Sequence, residues 1–206
     1  MNDNSARKLK SAINKLGLLR ARDLERFGLY RKHLREAMDA GTLVRVDRGL
    51  YRRTGAPTTE EHSLALVATC HPKAVICLRT ALEFHRLMAV PSRDVWIALP
   101  QHSWAPKSAR LRLRVIRMGY AALNAGVETH EIEGVEVRVF SGAKTVVDCF
   151  RHRKAIGLEI AIEALRAYLS GRHRNISAVR QLAARLRIGS VMQPYLAALS
   201  FLRADE

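Results

Sequence analysis

Apolar residues in the first quarter of the chain recur at intervals of three and four, then switch to an interval of two. Leu9, Ala12, Ile13 and Leu16 make one helical stripe, with Asn4 or Ser5 placed to cap it and Gly17 to end it. Leu24 and Phe27 share a face of a second, short helix from Arg22 to Phe27, and Gly28 stands just past its end. From Tyr30 to Ala40 the positions Tyr30, Leu34, Ala37 and Met38 form a third stripe that faces a core, stopped by Gly41. Leu43 to Val46 and Leu50 to Arg53 then read as two strands joined at Asp47-Arg48-Gly49. Helices, tight turn and hairpin in this order predict a winged helix-turn-helix over residues 1–54.

The breaker-rich stretch Thr54-Gly55-Ala56-Pro57-Thr58 marks a domain boundary, and residues 58–206 form the second, larger domain. Thr58 and Glu61 have capping-box spacing, so a helix runs from Thr59 to about Cys70 and stops before Pro72. Ala74 to Cys77 is a brief apolar run, and Arg79 to Leu87 reads as a helix. Val95-Trp96-Ile97-Ala98-Leu99 is a buried strand, and Leu111 to Arg117 alternates apolar residues with arginine, as a strand with one wet face does. Val127 to Ile132 and Val135 to Phe140 form a hairpin turning on Glu133-Gly134. From Lys144 onward the pattern is helical, in segments 144–151, 158–170, 176–187 and 191–202 separated by glycines. The fold class is therefore α+β: a winged helix, then a small mixed sheet and a helical C-terminal part.

Charge changes this picture by naming a partner. The 206 residues carry 35 Lys and Arg against 19 Asp and Glu, a formal +16. The excess sits at the ends: fourteen bases against six acids in residues 1–53, ten against eight in 54–143, eleven against five in 144–206. A polyanion is the implied partner. At about 100° per residue, Arg31, Lys32 and Arg35 fall together on the side of the third helix away from its apolar stripe. Arg48 sits at the hairpin tip, flanked by Arg45, Arg52 and Arg53, while Arg20, Arg22 and Tyr30 lie beside the turn. These ten residues are the expected contacts to double-stranded DNA.

Other chemistry finds little support. Cys70, His71, Cys77 and His85 match no zinc spacing, so no metal and no cofactor is expected. Glu131, Glu133 and Glu136 cluster as nuclease carboxylates would, but Glu136-Val137-Arg138 ends in Arg where Lys is wanted. No Gly-rich phosphate loop or other catalytic signature occurs, and no enzyme activity is expected. Lys144, Asp148, Arg151 and His152 lie on one helix face. They form either an ordinary i, i+4 ion pair with its neighbours or an exposed polar ridge for a partner. Three cysteines, no signal-like start and no span of about 20 apolar residues lead to the expectation of a cytoplasmic protein without a membrane partner.

The segment LxxRDLxxxGLxRxxLxxAxxxGxLxRVxRGLY beginning at Leu19, then RTALEFHxL from Arg79, VWIALP from Val95 and KTVVDCFRHRxxIGLEIAIEALRAYL from Lys144 resemble the AbiEi-type antitoxins, the regulator half of bacterial abortive-infection toxin-antitoxin pairs that act in phage defence. The resemblance implies a winged helix that binds inverted repeats in its own promoter and represses the operon. It implies also a C-terminal domain that counters a nucleotidyltransferase-type toxin without forming a stable complex. DNA contact carries over to Arg31, Lys32, Arg35 and Arg48, and no catalytic residue carries over. A monomer in solution with two copies on DNA fits inverted-repeat binding. A regulator with no toxin partner and a winged-helix-guided nuclease stand as alternatives.

Overall fold

The computed structural model describes residues 3–56, 59–88, 93–104, 111–172 and 174–201. It divides into two units, Met1–Pro72 with Pro106–Leu111 and His130–Val137, and Lys73–Ala105 with Arg112–Thr129 and Arg138–Glu206.

In the first unit, helix α1 (Asp3–Leu16) buries Leu9, Ala12 and Ile13. Strand β1 (Leu18–Arg20) follows, then a 3-10 turn (Ala21–Phe27) that buries Leu24. Gly28 closes the turn at φ 65°, where its N–H donates to Glu25 O. Helix α2 (Arg31–Asp39) turns His33, Leu34 and Ala37 inward. Strands β2 (Leu43–Asp47) and β3 (Leu50–Arg53) meet across a two-residue turn at Arg48 and Gly49. The sheet is antiparallel in the order β1-β3-β2, with Leu19 and Arg45 both opposite Tyr51. β2 carries a bulge between Arg45 and Asp47. Three residues are too few for alternation to register, which is why periodicity does not reveal β1.

Leu9, Leu19, Leu24, Leu29, Leu34 and Leu43 pack into one core, each leucine contributing roughly 1.5–3 kcal/mol by leaving water. Helix α3 (His62–Cys70) lies in the same unit and packs on β1. It begins three residues later than its sequence suggests, and Thr58 of the expected capping box lies outside the described residues.

In the second unit, β4 (Val75–Ile76), α4 (Leu78–Phe84), β5 (Asp94–Pro100), β6 (Arg112–Met118) and the single turn α5 (Tyr120–Leu123) come first. The hairpin β7 (Val127–Ile132) and β8 (Val135–Phe140) completes a sheet ordered β6-β5-β4-β8-β7. β5 and β6 are parallel from Asp94 opposite Arg112 to Pro100 opposite Met118, whereas β4 runs antiparallel to β5 and parallel to β8. The sheet is mixed, as the fold class requires. Helices α6 (Gly142–Arg151), α7 (Arg153–Ile156), α8 (Leu158–Ser170), α9 (Ile176–Arg185) and α10 (Gly189–Phe201) make up the rest. The core gathers around Phe140, Val146, Val147, Phe150 and Leu165, and α6 packs against α4, α8 and α9. Among the described residues no helix is long and apolar enough to cross a membrane.

His130–Val137, which holds the hairpin turn at Glu133 and Gly134 and the strand ends beside it, belongs to the first unit. There Glu133 accepts hydrogen bonds from the Thr59 N–H at 2.8 Å and pairs with His62 Nδ1 at 2.6 Å. Gly17, at φ 62°, lies so close that a Cβ on it would stand 1.6 Å from the Glu133 carbonyl oxygen. Only glycine satisfies both the backbone angle and the approach.

Candidate nucleic-acid interface

The interface begins with the way α2 is held. Its N-terminus is fixed by His33, whose Nδ1 accepts the Tyr30 N–H at 3.0 Å. At the other end the Thr42 hydroxyl donates to Ala37 O at 2.9 Å. With His33, Leu34 and Ala37 committed to the core, the helix period leaves Arg31, Lys32 and Arg35 on the outer side, and all three are exposed. On the hairpin, Arg45, Arg48 and Arg53 are exposed and Arg52 is half-buried. Arg45 Nε donates to Asp47 O at 3.1 Å, and the Arg48 N–H donates to Asp47 Oδ1 at 2.6 Å, so the bulge and the tip are braced by one aspartate.

Tyr30 departs from its expected place in the apolar stripe. It is 63 % exposed, and His33 fills the inward position instead. The helix starts at Arg31, which leaves Tyr30 on extended backbone at φ −127°, outside the helical periodicity that placed it inward. The exposed ring lies 6.0 Å from the His33 ring, centre to centre.

Arg20 is engaged inside the protein. Its Nε donates to Asp23 Oδ2 at 2.5 Å and its guanidinium also donates to Thr69 O at 2.8 Å, tying β1 to the C-terminal turn of α3. Arg22 is exposed, and its charge acts on the same turn: burial and Arg22 together lower the His71 pKa. Burial, followed by the Asp47 charge, pushes the Cys70 thiol up against the opposing pull of Arg20 and Arg22. The basic set therefore separates into outward groups on α2 and the hairpin and a group facing α3. Lys8 on α1 adds a base that periodicity does not single out: a Cβ at Gly28 would lie 3.7 Å from its ammonium nitrogen, beside the turn that leads into α2.

The expected exposed ridge on the 144–152 helix does not form. Lys144 and Asp148 are both 0 % exposed and hydrogen-bonded to each other, and Lys144 Nζ lies 4.0 Å from the centre of the Phe140 ring. Burial pulls the Lys144 pKa down and the Asp148 pKa up, and their mutual attraction opposes both shifts. Arg151 is exposed and donates to Leu186 O at 3.3 Å, while His152 is half-buried. The spacing of Lys144 and Asp148 gives their proximity, but Val146, Val147, Cys149 and Phe150 cover the rest of the helix with apolar surface. That all-round apolarity is the signal of a buried helix.

Of the three clustered acids, Glu131 and Glu136 are exposed and Glu133 is held by Thr59 and His62. Among the described residues no group of three His, Cys, Asp or Glu could hold a metal ion.

Residues 7–54 match the family described as transcriptional regulator, AbiEi antitoxin. The matched segment runs from α1 through the hairpin and contains every outward base named above. No curated protein matches the chain. Among solved structures, the RV2827C protein from Mycobacterium tuberculosis is similar over 96 % of this chain and 82 % of its own, at 17 % sequence identity and a TM-score of 0.50. At that identity the likeness speaks to the fold alone.

Proposed function

We propose that the chain is a DNA-binding regulator whose first unit is a winged helix, with α2 as the helix that enters the major groove and the β2–β3 hairpin as the wing along the backbone. One observation carries this reading: Arg31, Lys32 and Arg35 project from the side of α2 opposite His33, Leu34 and Ala37, on the element that such a unit presents to DNA. Arg45 and Arg48 extend the same positive surface to the hairpin tip. Guanidinium groups there suit phosphate oxygens and guanine edges alike. The family match over residues 7–54 supports a regulator and antitoxin.

In the finer reading, the protein binds inverted repeats in its own promoter as two copies, represses that operon, and counters a nucleotidyltransferase toxin through residues 58–206 without a stable complex. The Lys144–Asp148 pair then serves to shape the core of that domain. The test is retardation of the promoter fragment over a salt series, with Lys32→Ala and Arg35→Ala beside the parent chain. Affinity falls steeply with salt as counterions are released, and both variants bind more weakly. Unchanged affinity in both variants removes α2 from the interface. Co-expression with the product of an adjacent nucleotidyltransferase gene tests the antitoxin half: growth is rescued by the parent chain, and failure of rescue leaves a regulator alone.

A further inference from the structure

His85, Arg86, Arg172 and Arg174 line a cavity of about 740 Å³ within the second unit. Glu128 is the one carboxylate among the described residues that line it, beside three arginines. Among the described residues none of the three guanidinium groups has a hydrogen-bond or ion-pair partner. Arg86 is held at φ 54°, in the left-handed region, by the turn that closes α4, where its N–H donates to Glu83 O at 2.9 Å. That conformation is the ordinary close of a helix, completed by the Leu87 N–H donating to Leu82 O at 2.9 Å, and it sets where the Arg86 side chain leaves the backbone.

The neutral part of the wall is built to match. His85 Nε2 is hydrogen-bonded to Phe140 O at 2.7 Å, which anchors the imidazole and leaves its other nitrogen unused by that bond. The Asn175 N–H donates to the Tyr168 hydroxyl at 3.1 Å, fixing that ring in the wall, and Leu87 and Ala143 supply apolar surface beside it. The first turns of α6 and α9, two ten-residue helices capped by Ser141 and Asn175, also open on the cavity and reinforce its positive field. Guanidinium forks next to an apolar wall bind a molecule that is phosphate at one end and organic at the other. Arg86, Arg172 and Arg174 are exposed, so the cavity is open to solvent, and its volume suits a small ligand.

The geometry points to a binding site for an organic phosphate of nucleoside triphosphate size, independent of the DNA surface on the first unit. The test is calorimetric titration of the full chain with ATP, with inorganic tripolyphosphate and with adenosine. ATP binds at one site per chain, tighter than tripolyphosphate, and adenosine alone gives no measurable heat. The double substitution Arg172→Ala/Arg174→Ala weakens ATP binding at least tenfold, while Arg31→Ala/Arg48→Ala, which removes the same number of charges from the other unit, leaves it within twofold. Absence of ATP binding at millimolar concentration overturns the assignment. So does equal loss in the two double variants, which would mean attraction to net charge. ATP binding no tighter than tripolyphosphate would reduce the site to a bare polyanion trap. Loss of promoter binding in Arg172→Ala/Arg174→Ala with ATP binding intact would make these arginines part of a DNA surface.

Discussion

Helices α2 and α6 have the same ingredients and opposite fates. Each is nine or ten residues long and carries lysine, arginine and an acid at helical spacing. In α2 the apolar residues occupy one side, so the bases stay in water. In α6 every residue from Ala143 to Phe150 is buried, so Lys144 and Asp148 are buried with the rest. Charge on a helix thus reports a binding surface only when the remaining positions leave it a wet side. Spacing alone cannot distinguish the two.

The sharpest way to break this comparison is to remove one charge from each helix. Lys144→Met strands Asp148 without its partner in the core and is expected to cost about 3–5 kcal/mol, read from the urea midpoint. Lys144→Met/Asp148→Leu recovers most of that loss, because two well-packed apolar residues replace the pair. A small effect from the single substitution would show that the pair is not buried in solution. Gly17→Ala comes next: positive φ and the approach of the Glu133 carbonyl predict a loss of roughly 1–3 kcal/mol in the same measurement.

Lys32→Ala and Arg35→Ala should be the mirror image of Lys144→Met. Each leaves stability within about 0.5 kcal/mol and weakens promoter binding by about 1–3 kcal/mol if a base edge is read. Equal damage to stability would place these side chains in a structural role. The smallest effect is expected at Glu133. Burial pushes its carboxyl up, yet hydrogen bonds from Thr59 and His62 and the His62 charge outweigh it and hold the pKa below the ordinary 4.5. The resulting stability is present at neutral pH and is lost as pH falls through the depressed folded-state value. In Glu133→Gln the difference between urea midpoints at pH 6 and pH 3 should therefore shrink.

Much of the first unit is legible in the chain because its helices are amphipathic and its turns are marked by Gly17, Gly28, Gly41 and Gly49, each at positive φ. The β7–β8 hairpin is legible for the same reason, turning at Glu133 and Gly134 with φ 52° and 76°. β1 is hidden by its length, and Tyr30 is misplaced because an aromatic residue at a helix boundary fits the stripe on paper while the cap conformation swings it out. The burial of Lys144 and Asp148 depends on α4, α8 and α9, elements far away in sequence. The cavity lined by Arg86 and Arg172 draws on segments more than eighty positions apart, and local pattern carries no trace of it.

The first unit is assembled from separate stretches of chain, and one of them, residues 130–137, is made long after α1 and α3 have left the ribosome. Until it arrives, His62 lacks its carboxylate and Gly17 has nothing to approach. The core from Leu9 to Tyr51 is complete before that stretch is made, and the contacts at Gly17 and His62 close later, over a long separation in sequence of the kind that is slow to form. A nascent polypeptide stalled before residue 130 would display its basic helix on a formed core that lacks only the clasp at Glu133.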